Sequence, residues 1–158
     1  MKLHELLDSY ILNYISPFKP EEKDLKYKYL QDNIRHYINN ILIKKKINSG
    51  LKFKNYTLKI DRDSILNYQD LVEIHRRRMI TEIFVDTLDN INFKIEVIEL
   101  QNFIVEAKLR ALTIVSCGQR LKYFFNQITD IEKLYKLEVP QFQNMTCEEI
   151  IKWIEQNG

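Results

Sequence analysis

Between Ile91 and Cys117 apolar side chains recur at every second position, first at Ile91, Phe93, Ile95 and Val97, then at Phe103, Val105, Ala107, Leu109, Ala111, Thr113 and Val115. Successive side chains of a strand point to opposite faces, so alternation of this kind marks strands buried on one side. Leu100, Gln101 and Asn102 interrupt the pattern once, which predicts two strands of a long antiparallel hairpin. Most other apolar spacings are helical. The expected fold class is therefore α+β.

A chain of 158 residues is expected to form a single domain, residues 1–158, with a core that needs no metal or disulfide staple. Hydrophobic residues make up 45% and charged residues 29%, and no apolar run approaches the roughly 18 residues of a membrane span. No membrane partner is expected. Glu5 and Asp8 fall where a secretory leader would be uninterruptedly apolar, so the expected location is cytoplasmic. Cys117 and Cys147 lack a CxxC partner or a histidine at zinc spacing, and reduced thiols are expected. Heavy use of Ile, Lys, Asn and Tyr, which have AT-rich codons, suggests a low-GC genome such as that of a phage or other mobile element.

Leu3, Leu6, Leu7, Tyr10, Ile11, Tyr14 and Ile15 predict a first amphipathic helix, broken by Pro17 and Pro20. A second begins near Pro20, carries Leu25, Tyr29, Ile34, Tyr37, Ile38, Ile41 and Leu42, and ends at Lys44-Lys45-Lys46 before a Gly50 cap. Leu51 to Ile60 is a β segment with a bulge or hairpin tip at Lys54-Asn55. Asp63 or Ser64 caps a helix bearing Ile65, Tyr68, Leu71, Val72 and His75, and Met79 to Leu88 is a strand leading into the hairpin. Leu121, Phe124, Phe125, Ile128 and Ile131 predict a helix closed by Pro140, and Thr146 with Glu149 is a capping box opening a last one. The expected order is two helices, a short β segment, a helix, a three-strand antiparallel meander and two C-terminal helices. As far as Val115 that order resembles the cone-shaped folds of the nuclear transport factor 2 type, a likeness of arrangement that implies no activity. Ile95, Val97, Val105, Leu109, Ile38 and Ile41 are the expected core.

Three glycines, at 50, 118 and 158, exclude the clustered-glycine loops that let backbone amides approach phosphates. No GxSxG elbow or HExxH helix occurs either. Glu106-Ala107-Lys108 resembles the metal-and-base pattern of PD-(D/E)xK nucleases, with Asp86 or Asp89 as the upstream aspartate. On a strand, Glu106 and Lys108 would share one face and could meet one metal-bound water. A solvated sheet face with Lys94 and Glu96 opposite explains the same residues, and is the preferred reading. Asp61-Arg62-Asp63 follows a β segment, as the metal-binding DxD of sugar- and nucleotide-transferring enzymes does, but helix capping accounts for it. His4, His36 and His75 are too scattered for a local metal site. No catalytic residue, metal or cofactor is expected.

Basic residues form two groups, Lys44, Lys45, Lys46, Lys52 and Lys54, then Arg76, Arg77 and Arg78, the clustering that phosphate neutralisation needs. Acids are nearly as numerous, and no exposed aromatic is expected beside the basic groups for base stacking. The leading expectation is a non-enzymatic protein-interaction or structural accessory protein, with a protein partner or self-association. Tyr27, off the apolar stripe of its helix, is the expected contact residue. Nucleic-acid binding through the two basic groups ranks second, and a metal-dependent nuclease using Glu106 and Lys108 ranks third.

Overall fold

The computed structural model describes residues 1–11 and 23–158, with side chains described outside residues 8–26 and residue 131. Tyr14 and the proline-bounded start of the second helix lie outside the described residues, as does the side chain of Tyr10. The fold is mixed helix and strand, as the α+β class requires. Contacts divide the chain into two compact units, Met1–Lys44 with Ser116–Gly158, and Lys45–Val115.

The first unit is helical. It contains α1 (Leu3–Ile11), α2 (Lys23–Tyr37), a π-helical turn over Ile38–Ile43, α6 (Ile131–Lys136), a short 3-10 turn at Phe142–Asn144 and α7 (Cys147–Asn157). Leu30, Ile34, Ile38 and Leu42 recur every fourth residue and are fully buried, so the apolar stripe expected of this helix is its packing face. Ile41, expected beside them, is only half-buried. Gln31, buried on α2, donates its amide to the Tyr27 hydroxyl (3.1 Å) and the Phe125 carbonyl (3.4 Å). At Gly118 an added Cβ would lie 2.9 Å from the Ile43 side chain, so glycine permits a close helix approach there. Thr146 and Glu149 form the expected capping box. The expected pair of free thiols is not found: Cys117 and Cys147 are joined by a disulfide, their Cα atoms 5.8 Å apart. Sequence spacing could not show this, because the loop closed between them brings two helices together only in the fold.

The second unit opens at the end of α3 (Lys44–Asn48), where Gly50 takes a φ of +71°. An added Cβ at Gly50 would lie 2.5 Å from the Leu58 carbonyl, so both the turn and the close approach need glycine. β1 (Leu51–Phe53) and β2 (Tyr56–Leu58) pair antiparallel about Lys54-Asn55, which is a hairpin tip and not a bulge. Asp61 caps α4 (Arg62–Arg77), its carboxylate accepting from the Ser64 amide (3.0 Å) and hydroxyl (2.6 Å). β3 (Glu82–Asp86) and β4 (Asn92–Glu96) form a second hairpin in register Ile83↔Ile95, with Ile83, Val85 and Ile95 inward. Tyr56 stacks on Phe93 (4.1 Å), while Phe53 and Tyr68 each meet the edge of Phe103 (6.0 Å). These rings fill the unit's interior.

Alternation ends at Glu96. From Val97 to Asn126 the chain is one 30-residue helix, α5, and not the second half of a hairpin. Val97, Leu100, Phe103, Ile104, Ala107, Ile114, Cys117, Leu121 and Phe125 are buried, a spacing of three and four that belongs to a helix. Ile95, Val97 and Ile38 are core as expected, but Val105 and Leu109 are exposed. The three-strand meander is thus a two-strand hairpin followed by a helix, and the cone arrangement loses the strands it would be built on.

Candidate interaction surface

α5 carries apolar residues on two faces. The face turned from the unit's core exposes Ile98 (56%), Val105 (57%), Leu109 (60%) and Leu112 (65%). A helical residue advances about 100°, so these four project within about 60° of one another, and Asn102 lies about 20° beyond Leu109. The spacing 98, 102, 105, 109, 112 runs four, three, four, three, the seam of a coiled coil. Asn102 is exposed and makes no hydrogen bond through its side chain among the described residues. Single exposed apolar residues are ordinary on a monomer, whereas large contiguous apolar patches occur at contact sites.

Beside Ile98 a groove of about 400 Å³ continues the apolar surface, lined by Met79, Ile80, Val97 and Ile98. Met79 is 92% exposed. It follows α4 in the left-handed region, φ +55°, with its amide bonded to the Arg76 carbonyl (3.1 Å) and the Ile80 amide to that of His75 (2.9 Å). That is the Schellman geometry, in which glycine or asparagine ordinarily takes the left-handed position. A bulky residue costs roughly 1–2 kcal/mol there, and such strain collects at functional sites. Phe84, pointing outward from β3, is a further exposed ring.

The residues singled out in the sequence fare differently. Tyr27 is half-buried, and its hydroxyl donates to the Ile128 carbonyl (3.1 Å), so it serves packing within the first unit and is not the exposed tyrosine expected. Glu106 and Lys108 lie on α5 about 200° apart, on opposite flanks, and the shared-face premise of the nuclease reading fails. Asp86 instead accepts from the Asn92 amide on its own hairpin. Lys44 to Lys46 are at α3, Lys52 on β1 and Lys54 at the hairpin tip, while Arg76 to Arg78 end α4. Lys54 is paired with Glu99 (2.7 Å) and Arg77 with Glu73, whereas Lys52, Arg76 and Arg78 are exposed. His4 donates to the Tyr135 carbonyl (2.8 Å) and stacks on that ring, and His75 donates to the Leu71 carbonyl (2.8 Å).

The stripe on α5 escapes a reading by alternation, which assigns Val105 and Leu109 to a buried strand face and leaves Ile98 and Leu112 out of it. Glu106-Ala107-Lys108-Leu109-Arg110-Ala111-Leu112 consists entirely of good helix formers, and that propensity is the signal that could have found it. No protein-family model, curated protein or solved structure matches the chain.

Proposed function

We propose that the chain is a non-enzymatic protein-interaction module whose contact surface is the outward face of α5 with the adjoining Met79 groove. The observation that carries this reading is the exposure of Ile98, Val105, Leu109 and Leu112 along one uncharged helical stripe. Apolar surface of that continuity is stabilised by removal from water, and a partner is the means available to a folded chain. Nucleic-acid binding has weaker support, since Lys54 and Arg77 are already neutralised by neighbouring glutamates.

Lys108 provides a direct test, because it borders the stripe and is exposed. Amine cross-linking of the native protein in its source, followed by mass spectrometry, should recover intermolecular links at Lys108. Intermolecular links confined to remote lysines such as Lys52, with Lys108 modified but never linked, would count against the proposal.

A further inference from the structure

We infer that the α5 stripe pairs with the same stripe of a second copy of this chain, the two helices running parallel. The inference rests on the protein-interaction reading above, and names the partner. It involves residues of the Lys45–Val115 unit alone.

Three features of α5 favour a second copy. Spacing comes first: in heptad terms Ile98, Val105 and Leu112 take d positions, and Asn102 and Leu109 take a positions. A seam of that kind is self-complementary, since knobs of one copy fit holes of the other. Asn102 is the second feature. A lone asparagine at an a position finds its hydrogen-bond partner in the equivalent asparagine when two such helices align in register, and this is the best-attested way a polar seam residue fixes register and copy number.

The third feature is the sign of the flanks. Glu99 and Glu106 border the seam on one side, Gln101 and Lys108 on the other. In parallel register each g position meets the e position of the partner's next heptad, so Gln101 faces Glu106 of the second copy and Lys108 faces its Thr113, with no like charges opposed, whereas antiparallel pairing sets the acidic flanks of the two copies against each other. Glu106 is exposed and has no ion-pair partner among the described residues, so it is available to Gln101 of the second copy, while Glu99 is held by Lys54. Two heptads expose roughly a few hundred Å² per copy, below the ~800 Å² of a standard interface. The Met79 groove beside Ile98 adds area. Self-association is therefore expected to be weak and reversible.

Sedimentation velocity on the purified chain over a concentration series is the test. Wild type is expected to form a two-copy species. Gln101→Glu opposes an acid to Glu106 of the second copy and should weaken self-association several-fold, while Gln101→Lys opposes a base to it and should strengthen self-association by a similar factor. Circular dichroism should be unchanged in both, because Gln101 is not buried. A dimer abolished by Leu109→Ser but not weakened by Gln101→Glu would be antiparallel or in another register and would overturn the inference. A wild type that stays monomeric at hundreds of micromolar overturns it as well. In that event Lys108 cross-links to a foreign protein would leave the broader interaction reading standing, and their absence would remove both.

Discussion

Cys117 in α5 and Cys147, the first residue of α7, are joined across a separation of 30 residues, closing a loop that contains α6 and the Phe142 turn. Cross-linking restricts the unfolded chain, and a closed loop of that length stabilises the fold by about 3–4 kcal/mol in the chain-entropy model. The double substitution Cys117→Ser with Cys147→Ser should therefore lower the stability measured by urea denaturation by that amount. Thiol titration of the denatured, unreduced protein should find no free thiol. Disulfides persist in oxidising compartments, so the same chain kept in a reducing cytoplasm should show the lower midpoint. Equal midpoints with and without reductant would show that the bond does not constrain the fold.

Two leucines on one helix separate the strand and helix descriptions of α5. Leu121 is fully buried, so Leu121→Ala should cost about 2–5 kcal/mol. Leu109 is exposed, and Leu109→Ala should change the stability of the single copy by at most about 0.5 kcal/mol. Chemical denaturation at low protein concentration keeps any self-association out of the comparison. A large loss at Leu109 would restore the strand assignment.

Local signals are legible where one physical effect dominates. Gly50 after three lysines marks a helix end because few other residues tolerate a positive φ, and Thr146 with Glu149 marks a start because the two side chains satisfy orphan amides reciprocally. Asn92 to Glu96 reads as a strand for the same reason its hairpin forms, a turn at Asp89-Asn90 with Asn90 at φ +61°. From Val97 the apolar residues satisfy both periods, since a helix with two apolar faces also places an apolar residue at nearly every second position. Only tertiary packing decides which set is buried. The disulfide and the outward stripe both depend on that decision, so neither could be read before the fold.

Asp61 caps α4, and its carboxyl responds to acid in a defined direction. Burial alone would raise it, but the Ser64 hydroxyl and amide both donate to the carboxylate and hold it below the usual range. A lowered folded value means the contribution is complete above the unfolded pKa, near ~3.9, and lost as pH falls through the folded value. Asp61→Ala should cost about 0.5–2 kcal/mol at neutral pH, and less in strong acid. Denaturation midpoints at pH 7 and pH 2.5 measure the difference. A cost that stays constant across that range would assign the effect to packing and not to the charged cap.

Tyr68 sets the alkaline side. Burial pushes its phenol up to about 12, with Asp61 and Asp86 adding to the rise and the Lys59 backbone opposing it. The ring meets the edge of Phe103, so the neutral phenol is held in the aromatic interior of the second unit. Below the ordinary tyrosine pKa of roughly 10 both folded and unfolded chains keep the proton, and this stabilising difference is fully present. Between about 10 and about 12 the unfolded chain ionises while the folded one does not, so stability falls as pH rises through that window. Tyr68→Phe removes the titrating group and keeps the ring. Its midpoint should fall less steeply than that of the wild type across that window, with phenolate absorbance recording one tyrosine fewer in the delayed phase. Parallel midpoint curves for the two proteins would show that Tyr68 ionises as freely as an exposed tyrosine and that its burial is wrongly placed.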